Sequence, residues 1–224
     1  MIELDKQLLL ALNGSDSPFW DEFMFTHTGM WVWMPFFAVC IYVVFRLGKW
    51  REALLALGMV ALVVLLADRI SSGLFKPLFH RFRPTHDPEI AMLVDVVRGY
   101  RGGKYGFVSS HAANAFGVVT FLSLLFRRKS LTLGLLFWAF LHSYTRIYLG
   151  VHFPGDIVCG GLLGALVGWA VFRLYGCVAD RVQWGGRLRA CSSSETAWVL
   201  ATLGTTYLFI VVWALIAGQI ALIE

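Results

Sequence analysis

The chain has 224 residues, 58% of them hydrophobic and 15% charged, with a formal net charge of +5. Soluble domains carry about 25% charged residues, so this balance excludes an ordinary water-soluble fold and points to a bilayer. The basic residues fall in short clusters between apolar runs rather than along one stripe, so membrane topology explains them and nucleic-acid binding does not.

The opening stretch MIELDKQLLLALNGSDS starts with Glu3 and Asp5 and lacks a basic n-region and a small-x-small cleavage site. It therefore does not read as a cleavable signal. Its apolar run is too short to span, which predicts a short helix lying along the membrane surface. A turn at Asn13-Gly14 follows, then aromatic interface anchors at Phe19, Trp20 and Phe23.

Crossing a hydrocarbon core takes roughly 20 helical residues. Six segments meet this need, at about 28–46, 52–75, 110–126, 131–149, 155–175 and 196–222. The expected fold is an all-α integral membrane protein, a six-transmembrane-helix bundle with a short N-terminal interfacial helix, residues 1–224 forming one membrane-embedded domain. The third span is short, and the second and fourth carry polar residues near one end, as helices lining a watery cavity do. In the second, Arg69, Ser72 and Lys76 share a face at helical spacing, with Asp68 or a phosphate to neutralise Arg69. In the fifth, Gly160, Gly164 and Gly168 let another helix approach closely. The four cysteines, Cys40, Cys159, Cys177 and Cys191, contain no CxxC pair, which predicts neither a disulfide framework nor a thiolate metal site.

Basic residues follow alternate spans: Arg46, Lys49 and Arg51; Arg127, Arg128 and Lys129; Arg173, Arg181, Arg187 and Arg189. By the positive-inside rule those loops are cytoplasmic. Both termini and the loops 76–109 and 146–156 then lie on the other face, periplasmic in a double-membraned bacterium.

Those two loops concentrate chemistry. The first begins KPLFHRFRP, with Lys76 and Arg83, and ends in VSSH, Val108 to His111; the second is TRIYLGVHFPGD, with Arg146, His152 and Asp156. Lys76, Arg83 and Arg146 can neutralise a tetrahedral oxyanion, the arginines through planar forks. Ser109 and Ser110 precede a helix whose free N–H groups form an anion site. A histidine held by a carboxylate is an oriented nucleophile, and His152 with Asp156 fits that pairing. His111 is then placed to protonate a leaving oxygen.

The residues KxxxxxxRP from Lys76 to Pro84, SxH within VSSH and RxxxxxHxxxD from Arg146 to Asp156 resemble the three signature motifs of the type-2 phosphatidic acid phosphatase superfamily of membrane lipid phosphatases. The resemblance covers about 68–157 and, through the helix pattern, most of the chain. It implies hydrolysis without metal or cofactor through a phosphohistidine. His152 attacks phosphorus, Asp156 holds it, His111 protonates the leaving group, and Lys76, Arg83 and Arg146 bind the phosphoryl oxygens. The substrate classes it opens are a lipid A phosphate, undecaprenyl diphosphate, and phosphatidylglycerophosphate or phosphatidate, with the bilayer as the other partner. A lipid-to-lipid phosphotransferase and a non-enzymatic anion or lipid transporter are the alternatives, and oligomeric state stays open. Val108 and Ser110 stand where the family has Pro and Gly, and Thr145 where it has Ser. Thr145 keeps the hydroxyl, whereas Ser110 gives up glycine's close backbone approach and is expected to reshape the pocket.

His27 and His142 read as packing residues, His142 one turn before Arg146. His80, Arg81 and His86 flank the first motif in rim or structural roles. The segment RGYRGGKYG, 98–106, reads as a mobile cationic loop able to wrap a head group, or simply as an exposed one. A metal site of His80, His86, His111 and His152 is disfavoured, because three cations repel a divalent ion.

Overall fold

A computed structural model of the chain describes residues 2–182 and 187–220. Those residues form helices and no β-strand: α1 Ile2–Leu12, α2 Pro18–Thr28, α3 Met34–Arg46, α4 Trp50–Asp68, α5 Lys76–Phe79, α6 Ser110–Phe126, α7 Lys129–Tyr148, α8 Pro154–Arg181 and α9 Ser193–Ile220. A lone antiparallel bridge joins Phe82 and Tyr105.

Three stretches are long and apolar enough to cross a bilayer, Trp50–Phe79, Pro154–Arg181 and Ser193–Ile220, and α2 joined to Trp31–Arg46 makes a fourth if that bent pair is one span. The expected first span, 28–46, corresponds to Trp31–Arg46, and the break lies at its very start, after Thr28. Pro18 starts α2, Gly29 ends it in extended backbone, and the chain bends by 69° before α3. The bend pulls Phe23 into the core at 6% exposure, so only Trp20 of the three expected anchors is well exposed. At the expected third and fourth spans, α6 has only 17 residues and α7 begins at Lys129 and carries Arg146 in its last turn. Of the sixth, residues 221–222 lie outside the described part.

The second span continues past Asp68 as a π-helical turn, Arg69–Phe75. The wider winding breaks the simple α-helical face expected for Arg69, Ser72 and Lys76. Ser72 Oγ donates to Asp68 Oδ1 at 3.4 Å and accepts from Lys76 Nζ at 3.2 Å. Asp68 thus serves Ser72, and no Asp68–Arg69 ion pair forms among the described residues.

The centre of the bundle is the seam between α6 and α8. A methyl group added at Gly160 would meet the Ser109 carbonyl, one at Gly164 the Ala113 carbonyl, and one at Gly168 the Gly117 carbonyl. Backbone thus lies against backbone, and the seam fixes the first turns of the two helices beside each other: Ser109 N–H donates to the Asp156 carbonyl at 3.1 Å.

Contacts sort the loops into two ends. At one, Arg189 N–H donates to Leu47 O at 3.1 Å, Cys191 N–H to Phe126 O at 3.1 Å, and the Arg127 and Arg128 side chains cap Leu188 and Cys191 carbonyls. This is where all three basic loops meet. The motif-bearing loops occupy the other end, one length of α8 away, about 42 Å at 1.5 Å per residue. There α1 docks by one face, Lys6 and Leu9, with Lys6 paired to Asp87 and Glu89, while Leu4, Leu8 and Leu12 stay exposed. The Asn13-Gly14 turn forms as expected, Gly14 taking φ +62.

Filling the seam must force the helices apart, and overpacking of a tight contact costs typically about 1–3 kcal/mol. Gly164→Val is therefore expected to lower the melting temperature in detergent by several degrees or more. An unchanged melt would mean that α6 and α8 do not pack through this stripe.

Candidate active site

The turn between α7 and α8 carries the second motif loop. Gly150, at φ +66, ends α7, and the N–H groups of Val151 and His152 both return to the Arg146 carbonyl, at 3.1 and 3.2 Å. A side chain at Gly150 would meet Val94 and the Asp95 carbonyl. This tight return buries His152 completely and delivers the chain to Pro154, whose missing N–H is harmless at a helix start. Asp156 then falls at the third helical position. Its Oδ2 accepts the Phe153 N–H at 3.1 Å, closing the helix start, and also faces His152 Nδ1 at 3.3 Å.

That pairing decides the histidine's chemistry. With its proton on Nδ1 toward Asp156, the ring presents a lone pair on Nε2. Arg83 Nη1 donates to that lone pair at 3.0 Å and to the Val151 carbonyl at 3.0 Å, while Arg83 Nε donates to the Tyr105 carbonyl at 3.2 Å. Burial first, then the charges of Arg83 and Arg146, hold His152 well below the ordinary imidazole range, so it is neutral at pH 7. Burial and Arg146 likewise lower Arg83.

The remaining cations are anchored but not saturated. Lys76 Nζ donates to Ser72 Oγ at 3.2 Å and Ser110 Oγ at 3.0 Å. Arg146, 1% exposed, donates from Nη1 to Thr28 Oγ1 at 2.8 Å and from Nη2 to the Tyr100 hydroxyl at 2.9 Å, and its buried Nε has no partner. By donor inventory, one Lys76 N–H, both on Arg83 Nη2 and three on Arg146 stay without a side-chain partner among the described residues. Such a set suits a tetrahedral oxyanion. Ser109 caps α6, accepting the Ala112 N–H at 3.4 Å. His111 is exposed on the first turn of α6, its ring 6.1 Å from that of His142 and without a hydrogen-bond partner among the described residues. No group of three or more His, Cys, Asp or Glu side chains suited to a metal ion occurs among the described residues.

The structure therefore brings Arg83, His152 and Asp156 into direct contact, ties Ser109 to the Asp156 backbone and places Ser110 on Lys76. Ser110, where the resembled family has glycine, holds that lysine through its hydroxyl. The segment 98–106 is exposed from Arg98 to Lys104, as one of its two readings had it, and is hydrogen-bonded to its neighbours. Arg83 N–H donates to Lys104 O at 3.0 Å, Thr85 Oγ1 to Arg101 O at 2.8 Å and Arg98 to Glu22, so the segment is pinned along the first motif. Gly106 sits against the dyad, and a methyl group there would lie 2.9 Å from Asp156 Oδ2. Sequence reasoning did not single out Thr28, which reaches Arg146 from 118 positions away, and it marked the segment holding Tyr100 and Gly106 without giving either a role of its own. Arg81, read as a rim or structural residue, donates to Asp156 Oδ1 at 2.8 Å. His142 stacks on Trp138 with centroids 5.1 Å apart and makes no hydrogen bond to Arg146, in keeping with a packing role.

Residues 52–178 match the model of the PAP2 superfamily. The chain is 43% identical over 183 residues to the lipid A 4′-phosphatase of Bacteroides thetaiotaomicron, covering 81% of each protein. It is 36% identical over 216 residues to the lipid A 4′-phosphatase of Porphyromonas gingivalis, covering 92% of this chain and 90% of that one. Its fold is similar to that of a transmembrane PAP2-type phosphatidylglycerolphosphate phosphatase from Bacillus subtilis, with a TM-score of 0.58 at 22% identity over 82% of this chain and 88% of that one. The chain belongs to the PAP2 superfamily. It is a membrane hydrolase of that type, a lipid phosphatase, and the reading as a non-enzymatic transporter is set aside.

The state of His152 is directly measurable. In histidine-labelled protein, nitrogen NMR at about pH 6, where a free imidazole of pKa near 6.5 is mostly protonated, should show His152 neutral with an unprotonated Nε2. An imidazolium signal there would contradict the geometry.

Proposed function

We propose that this enzyme removes the 4′-phosphate of lipid A through a phosphohistidine at His152. Similarity to two lipid A 4′-phosphatases, at 43% identity over 81% of one and 36% over 90% of the other, supports the substrate. The observation that carries the mechanism is the line Asp156–His152–Arg83, in which Asp156 engages Nδ1 and the Nε2 lone pair is held only by an Arg83 N–H that an oxyanion can draw away.

In this reading the phosphate enters with its oxygens on the free donors of Lys76, Arg83 and Arg146 and draws Arg83 Nη1 off the His152 lone pair. Nε2 attacks phosphorus as the bond to the sugar oxygen breaks, and His111 gives that oxygen a proton. Asp156 stabilises the positive charge that develops on the ring. Water then attacks the phosphohistidine, losing its proton to His111, and phosphate leaves with the lone pair restored to Nε2. Each half-reaction returns what the other removed, so neither metal nor cofactor is required. We read α6 and α7 as the two further crossings of a six-span bundle, α1 as lying along the bilayer surface and the motif end as facing the periplasm. Lipid tails then remain between helices while the head group meets the cations.

The test is phosphate release by purified protein in chelator from lipid A, undecaprenyl diphosphate, phosphatidylglycerophosphate and phosphatidate. Lipid A should be the preferred substrate, losing its 4′-phosphate. His152→Ala should abolish release from every lipid. His111→Ala should slow it by about 10²–10⁴-fold, the usual worth of a general acid. Preference for another lipid would overturn the substrate assignment, and an active His152→Ala enzyme would overturn the mechanism.

A further inference from the structure

Beyond the motif residues, the catalytic carboxylate has a partner whose own support comes from the N-terminal helix. Arg81 lies between two acids. Its Nη1 donates to Asp156 Oδ1 at 2.8 Å and its Nη2 to Asp5 Oδ2 at 2.6 Å, with the guanidinium 4.2 Å over the Phe153 ring. The other oxygen of Asp5 accepts the Gly155 N–H at 2.8 Å. One α1 side chain thus fixes both the arginine and a free N–H in the first turn of α8, the turn that carries Asp156.

We infer that Asp5 and Arg81 are positioning residues for catalysis, acting through Asp156 on the His152 ring; the inference rests on the phosphatase reading above. The geometry gives each oxygen of Asp156 a separate task. Oδ2 serves His152 Nδ1 and the Phe153 N–H, and Oδ1 is claimed by Arg81. With Oδ1 held, the carboxylate cannot rotate its Oδ2 away from the ring. Arg81 in turn is a long side chain, 24% exposed, close to three phosphate-binding cations. Without Asp5 it is repelled by those cations and free to bind the incoming phosphate itself, which releases Oδ1.

Charge balance supports the same role. Lys76, Arg81, Arg83 and Arg146 against Asp5 and Asp156 leave the site at about +2, the complement of a phosphate monoester's charge of about −2 near neutral pH. Removing Asp5 raises the excess. Ground-state phosphate binding then holds or tightens while the attack, which depends on ring orientation, slows. A residue that merely anchored α1 would have no such signature, because Lys6 also anchors α1, through Asp87 and Glu89, without touching Arg81.

The experiment is steady-state kinetics of wild type, Asp5→Asn, Asp5→Glu, Arg81→Lys, Lys6→Met and His152→Ala, on whichever lipid phosphate the wild type hydrolyses, with melting temperatures alongside. Asp5→Asn should lower kcat about tenfold to a hundredfold, the effect of a small misplacement of reacting groups. Its KM should stay within about twofold or fall, the pattern of an interaction made in the transition state and not in substrate binding. Asp5→Glu should recover most of the loss, Arg81→Lys should repeat it, and Lys6→Met should leave kcat unchanged. Unaltered kcat in Asp5→Asn overturns the inference, as does a rise in KM alone or an equal loss in Lys6→Met. If Asp5→Asn fails to fold, Arg81→Lys decides by the same kcat and KM criterion. An active His152→Ala enzyme defeats the phosphohistidine reading instead, and is seen independently of the Asp5 result.

Discussion

One buried carboxylate organises the motif end of the bundle. Asp156 closes the start of α8 by accepting the Phe153 N–H, faces His152 Nδ1 with the same oxygen and holds Arg81 with the other. Burying an unpaired carboxylate is expensive, and a charge of this kind persists only when its partners are in place. The surrounding structure supplies them from three elements: the turn before α8, the first motif loop and, through Arg81, the helix α1. The helix start itself favours a negative group at this position. In the proposed mechanism one side chain therefore serves both the orientation of His152 and the folding of the helix start.

Around this centre the protein assembles cations without neutralising them. Arg83 and Arg146 are almost fully buried, and their acceptors are carbonyls, hydroxyls and an imidazole, not carboxylates. Such groups orient a guanidinium while leaving its charge for a ligand. Arg81 is the exception, and it is the cation given over to the carboxylates. Backbone must come close for this to fit. Gly106 against Asp156, and the glycine stripe of α8 against α6, are the places where any side chain would hold the parts apart.

Much of this was legible in the sequence because the motif spacings are short-range facts. His152 and Asp156 stand four residues apart across a Pro-Gly helix start, and Gly160, Gly164 and Gly168 mark a face by period alone. The three basic clusters were readable as one end of the bundle, and there their loops do meet. What escaped depends on tertiary contact. Asp5 lies 76 positions from Arg81, and Thr28 lies 118 from Arg146; nothing local marks either as part of a site. The stretch 98–106 has the composition of a loose loop, yet its carbonyls are acceptors for the Arg83 backbone and side chain, so pairing overrides glycine content. The bend at Gly29 joins α2, read from sequence only as interface anchors, to the first span, and the π-helical turn after Asp68 shifts a face that regular periodicity would have kept.

The central claim is that the lone pair on His152 Nε2, covered by Arg83 in the free enzyme, is the point at which phosphorus is received. A structure of the protein with orthovanadate, which mimics phosphorus in the act of transfer, tests this most directly. The account predicts vanadium bonded to His152 Nε2, its oxygens on Lys76, Arg83 and Arg146, and Arg83 Nη1 moved off the imidazole. Vanadate bound elsewhere, or Arg83 still seated on Nε2 with the oxyanion present, would contradict it.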